Sequence, residues 1–149
     1  MREVSVRDCY RMLKDCPDTK GISWLSRVPM VLLAGASRAY LYAVYLFQQG
    51  KPDRARSFLA LAEGLADDRD RPYVLLLKSV VEYLTGDAER AAEIGREAEG
   101  GAEHVGDKEL LADVWLHLAE TYRATGNTTA AEECERNADR ARRRREGKA

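Results

Sequence analysis

Gly50-Lys51-Pro52-Asp53-Arg54-Ala55, Gly86-Asp87-Ala88-Glu89-Arg90-Ala91 and Gly126-Asn127-Thr128-Thr129-Ala130-Ala131 punctuate the chain in the same way three times. Each is a glycine, a few polar residues, and an alanine five positions on, placed after an apolar run at helical spacing. The glycines stand 36 and 40 residues apart. A glycine can close a helix in the left-handed conformation without a Cβ clash. Asp87 and Asn127 then stand where a following helix wants its N-cap, and Pro52 suits a first helical turn. The small alanine one turn later lets two antiparallel helices approach closely. The spacing predicts three helix hairpins.

The stretches that follow carry the matching periodicity. Ala55, Phe58, Leu59, Ala62, Leu65 and Ala66 share a face, as do Ala88, Ala91, Ala92, Gly95, Ala98, Ala102 and Val105, and again Ala131, Cys134, Ala138 and Ala141. Alanine-rich stripes of this kind suit close stacking of one hairpin on the next, so the hairpins are expected in an array.

On these residues the chain resembles the tetratricopeptide repeat family, whose repeat runs W-x₂-L-G-x₂-Y, then A-x₃-F, then P. The third unit matches best, with Trp115, Leu118, Ala119 and Tyr122 before Gly126, Ala131 and Ala138. The first reads Ala39, Tyr42, Ala43 and Leu46, then Gly50, Ala55, Leu59 and Ala62. The second keeps Gly86-Asp87, Ala91 and Ala98, with Leu75, Lys78, Ser79 and Glu82 in the signature slots. No unit has the closing proline, and the extra length falls between Gly100 and Asp107, where longer helices around a turn at Gly106-Asp107 are expected.

The resemblance implies an all-α protein, a right-handed α-solenoid of antiparallel helix hairpins. Residues 36–142 form the repeats, 1–35 a divergent N-terminal helical pair or cap, and 143–149 a basic tail. Val4 to Asp15 reads as a helix, Pro17 to Gly21 as a loop, and Ile22 to Ala34 as a helix disturbed by Pro29. That second helix would hide Trp24, Leu25, Val31 and Leu32 against the first repeat.

In this family the first helix of each repeat lines a concave groove. The matching positions are Ser37, Tyr40, Val44 and Phe47; Tyr73, Leu76, Val80 and Tyr83; and Asp113, Leu116, Glu120 and Arg123. The groove is expected to be aromatic and aliphatic at one end and charged at the other, which suits an amphipathic helix or peptide. Charge substitutions at Tyr40, Phe47 and Tyr83 should then abolish capture of a partner. The chaperone-tail-binding members hold a carboxylate with Lys and Asn; Tyr40, Val44, Leu77, Asp113 and His117 stand in those slots, so that partner class is disfavoured. Two alternatives stand beside the scaffold reading. The N-terminal helices or a second copy could cover the groove, the latter making a self-assembling module.

At 149 residues, 45% apolar and 33% charged, the chain fits one globular domain. The net charge of −1 hides an asymmetry: from Arg136 on, seven basic residues face two acids, leaving −6 on the first 135. The Arg142–Arg145 run reads first as cations complementing a helix C-terminus. Nucleic acid is a lesser expectation, since no aromatic residue interleaves with the arginines.

The first residues are charged, with no apolar core behind them, so no signal peptide is expected. Val28 to Phe47 is apolar but contains Pro29, Gly35 and Arg38, which argues against a membrane span. Cys9, Cys16 and Cys134 form no CxxC and have no histidine pair to complete a metal site, so they read as reduced structural thiols of a cytoplasmic protein. His104 and His117 fall on different helices, and the chain has no phosphate-binding, zinc-protease or serine-hydrolase motif. Asp67-Asp68-Arg69-Asp70-Arg71 lacks the glycine and distal glutamate of a calcium loop and reads as a solvated turn. No cofactor, metal or catalytic residue is expected.

Overall fold

Four glycines with positive φ, at 50, 86, 106 and 126, set the frame of the structure. This computed structural model describes residues 4–15 and 35–145. The protein is all-α, with seven helices among those residues: α1 (Val6–Asp15), α2 (Gly35–Gln48), α3 (Pro52–Leu65), α4 (Arg71–Leu84), α5 (Ala88–Val105), α6 (Lys108–Ala124) and α7 (Thr128–Arg145). The expected loop at 17–21, the helix at 22–34 with its four apolar anchors, and Cys16 lie outside the described residues.

Each of the four glycines ends a helix by the same pair of bonds. Gly50 N–H donates to Phe47 O at 3.1 Å and Lys51 N–H to Leu46 O at 2.9 Å. Gly86 and Asp87 do likewise to Tyr83 and Glu82, and Gly126 and Asn127 to Arg123 and Tyr122. Gly106 and Asp107 close α5 on Glu103 and Ala102. This is the Schellman closure, which satisfies carbonyls the helix end would otherwise orphan. The next residue then opens the next helix: Asp87, Asp107 and Asn127 accept from the N–H of Arg90, Leu110 and Ala130 at 3.1, 3.1 and 3.2 Å. Pro52 opens α3 in its place.

The chain divides into two compact units, Met1–Val74 and Leu75–Ala149, with α4 running from one into the other. In the first unit α2 packs against α3 and α1 against α2. Ala55, Leu59 and Ala62 of α3 are fully buried, together with Leu41 and Ala43 of α2. The α1 helix begins with a reciprocal capping box, Ser5 N–H to Asp8 Oδ2 and Asp8 N–H to Ser5 Oγ, both 3.1 Å. It buries Val6, Cys9 and Tyr10, one face at i, i+3 and i+4.

In the second unit α6 packs against both α5 and α7. The small stripe of α5, Ala91, Gly95, Ala98 and Ala102, meets the large side chains of α6, Leu110, Val114 and Leu118. A Cβ at Gly95 would lie 2.6 Å from Leu118 Cδ2, so the closeness of the two helices depends on glycine there. Burying each such leucine stabilises the fold by about 1.5–3 kcal/mol. Ala131, Cys134 and Ala138 of α7 complete this core.

Candidate functional site

The twelve groove positions fall in both units, and each unit treats them differently. In the first unit Tyr40, Val44 and Tyr73 are buried and Phe47 is half-buried. Their cover includes α1. The Tyr10 ring lies on Tyr73 with centroids 5.1 Å apart, and Cys9 lies close enough to Tyr40 to raise its phenol pKa, though burial raises it more. Ser37, at the first groove position, donates to Val4 O at 2.6 Å and holds the chain entering α1. At the α1 N-terminus the Asp70 carboxylate accepts from Val6 and Arg7 N–H. Burial nevertheless raises its pKa, with Asp67 adding to the effect.

The acidic turn before α4 is therefore more than a solvated link. Asp67 Oδ1 accepts from Arg69 and Asp70 N–H at 3.0 and 2.9 Å, while Asp68 pairs with Arg71 at 3.2 Å. Among the described residues no three His, Cys, Asp or Glu side chains converge to hold a metal ion. Cys9 is wholly buried, and burial, then the Asp8 and Asp70 charges, push its thiol up to about 12. Cys134 is also a buried free thiol with its pKa raised by burial. No helix among the described residues is long and apolar enough to cross a membrane.

In the second unit the first-helix positions other than Leu76 stay at least partly open. Leu76 is buried, but Val80 and Tyr83 of α4 and Leu116 of α6 are half-buried, and Glu120 and Arg123 are exposed. Val80 and Tyr83 stand at i and i+3 on α4, with Leu76 one turn earlier on that face. Asp113, Leu116, Glu120 and Arg123 repeat that geometry on α6. The two faces meet through Tyr83, whose ring meets that of His117 edge-on at 5.9 Å and 90°. Arg123 is drawn aside by an ion pair to Glu135 of α7. The face is apolar and aromatic along α4 and acidic at Glu120.

Beneath it lies a buried polar chain. The Ser79 hydroxyl donates to Ala91 O at 2.6 Å, and His117 Nε2 stands 2.6 Å from the same oxygen. A carbonyl only accepts, so the single hydroxyl proton goes to Ala91, and His117 must donate its Nε2–H to Ser79. A serine beside a histidine resembles a nucleophile and its base. Here the proton runs the wrong way for that chemistry, and Ser79 is fully buried. Burial also lowers the His117 pKa to about 4, which keeps the ring neutral.

Sequence reasoning missed this chain because Ser79 and His117 are 38 residues apart and share no motif. One signal was present: Ser79 fills the slot where the repeat signature has a small residue, and Gly95 packs there too, its ideal Cβ 3.3 Å from Ser79 Oγ. Trp115 and Tyr122 of the third signature are half-buried on α6 and face α5. Trp115 Nε1–H donates to Glu99 at 2.5 Å, and Arg96 donates to the Tyr122 hydroxyl at 3.2 Å. Leu118 and Ala119 of that signature are buried.

No family model matches the chain, and no curated protein matches it in sequence.

Proposed function

We propose that the protein is a non-catalytic interaction scaffold of the tetratricopeptide type, a right-handed α-solenoid that binds a short amphipathic helix on the α4–α6 face. The observation that carries this reading is the half-buried set Val80, Tyr83 and Leu116, bordered by the exposed Glu120. Aromatic and aliphatic anchors held half-open on rigid helices suit a helical ligand, since they add apolar contact at little conformational cost. The first unit supplies the precedent: its equivalent positions, Tyr40 and Tyr73, are packed by a helix of the chain itself, α1.

Charge substitution at the open positions tests this reading. Selection of displayed helical peptides on the wild-type chain should yield binders that Tyr83→Glu and Leu116→Glu each weaken at least tenfold, with helicity retained. Binders indifferent to both changes would sink it. Tyr40 is no longer a suitable test position, because a charge there would disrupt a core in which the ring is buried.

A second reading, self-association, is favoured by a different surface. Leu61 and Leu65 of α3 are 50% and 55% exposed, and Tyr42, 44% exposed, stacks on Phe58 at 5.3 Å. An open stripe of this kind is what an interface between copies uses. Light scattering after size-exclusion chromatography decides it: a dimer that Leu61→Glu and Leu65→Glu dissociate supports this reading, and a monomer at high concentration removes it.

A further inference from the structure

The most concentrated charge on the described molecule is on the last turns of α7. Arg136, Arg140, Arg142, Arg143 and Arg144 are all exposed, and none has a hydrogen-bond or ion-pair partner among the described residues. Arg136, Arg140 and Arg143 stand at i, i+4 and i+7, on the side of α7 opposite the buried Ala131, Cys134 and Ala138, and Arg144 adjoins them. Asp139 is the sole acid within this span.

Complementing the helix dipole does not account for this arrangement. That effect is confined to the final turn, whereas Arg140 and Arg136 stand about one and a half and two and a half turns before the end of the helix at Arg145. Like charges at i, i+3 and i+4 repel one another. Glu132, Glu133 and Asp139, at three or four residues from Arg136 or Arg143, offset part of this repulsion, and the excess around Arg140, Arg143 and Arg144 is what an external polyanion would relieve.

We propose that this face of α7 binds the phosphate backbone of duplex nucleic acid without reading its sequence. Three features select that partner. All four cations of this face, Arg136, Arg140, Arg143 and Arg144, are arginine, whose planar fork matches phosphate oxygens in pairs. The exposed residues between them include no aromatic or large aliphatic side chain. An acidic protein would thus find no apolar anchor, and single-stranded bases would find nothing to stack on. The apolar face of α7 is buried against α6, so the helix has nothing to insert into a lipid surface. From Arg136 to Arg144 the helix rises about 12 Å. A duplex carries a charge about every 1.7 Å of its axis, so several phosphates lie within that reach.

The test is fluorescence anisotropy of a labelled mixed-sequence duplex titrated with the full chain at 50 and 200 mM KCl. Three phosphate contacts predict binding at the lower salt that weakens about 40-fold at the higher. Arg136→Glu/Arg140→Glu/Arg143→Glu should remove both the binding and its salt dependence, while the corresponding Lys triple variant keeps the salt slope. Circular dichroism confirms that each variant is folded, and the wild-type and Lys-variant slopes remain decisive if the Glu triple is not. The proposal is overturned by no anisotropy change at 50 mM KCl, by equal binding of the Glu triple, or by tighter capture of poly-glutamate or of phosphatidylserine vesicles than of the duplex.

Discussion

His117 Nε2 donates across 2.6 Å to the Ser79 hydroxyl, whose own proton is already given to Ala91 O in α5. Three helices, α4, α5 and α6, are thereby tied at one buried oxygen. The arrangement needs neutral imidazole, because burial makes the charged form costly.

The pH dependence follows from that. His117 has a folded pKa of about 4 against the usual 6.5, so between those values the unfolded chain binds more protons than the folded one. Its stability contribution is complete above pH 6.5 and is lost as pH falls toward 4. The loss amounts to at most about 3 kcal/mol, less to the extent that water reaches the ring. Urea denaturation at pH 7.5, 6 and 4.5 should show this fall in the wild type. His117→Gln, which keeps a donor for Ser79, should be flatter across the window; parallel curves would refute the assignment.

Removing the hydroxyl has a separate consequence. Ser79→Ala leaves the His117 N–H without its acceptor and should cost about 1–3 kcal/mol at pH 7.5. The pair should also be non-additive: after His117→Gln, the same change should alter its cost by more than about 0.5 kcal/mol. Additive losses would show that the two side chains do not act together.

Three glycine-to-alanine substitutions should separate by sign. Gly100 is exposed in mid-α5 with nothing near its missing Cβ, so alanine should stabilise by about 0.5–1 kcal/mol. At Gly95 the new methyl would meet Leu118, buried and 1% exposed, so overpacking outweighs propensity and about 1 kcal/mol is lost. Gly126 has φ of +84°, and alanine there should lose about 1 kcal/mol to backbone strain. Thermal denaturation of the three variants checks the order, and a stabilising Gly95→Ala would contradict the close α5–α6 approach.

Cys9 reports on α1. With the thiol wholly buried and pushed up to about 12, it should resist maleimide at pH 7.5 in the folded chain. Tyr10→Ala removes the ring that lies on Tyr73 and should speed modification at Cys9 at least tenfold, with helicity elsewhere kept. Site-resolved mass spectrometry reads the result; rapid labelling of wild-type Cys9 would overturn the packing of α1.

Much of the fold was legible because its punctuation is local. The bonds from Lys51 to Leu46, Asp87 to Glu82 and Asn127 to Tyr122 each span five residues, so one short window contains the glycine, the cap and the helix that follows. The turn at Gly106-Asp107 was legible for the same reason. The α1 boundary also lay close to expectation, Val6 against Val4, since the cap at Ser5 is local too.

The site was legible only as a list of positions. The resemblance to the tetratricopeptide repeat implied a groove register that placed Tyr40, Tyr73, Val80, Tyr83 and Leu116 on first-helix faces, but a face does not reveal its occupant. Tyr10 covers Tyr73 from 63 residues away, and Val4 meets Ser37 across 33. Ser79 and His117 looked unremarkable apart. What the chain alone determined was where helices end and turn back, because backbone closure depends on residues within reach of one turn. Which apolar faces are spent internally, and which stay open at Val80, Tyr83 and Leu116, was decided only by tertiary packing, because burial depends on residues distant in the chain and no local pattern records them.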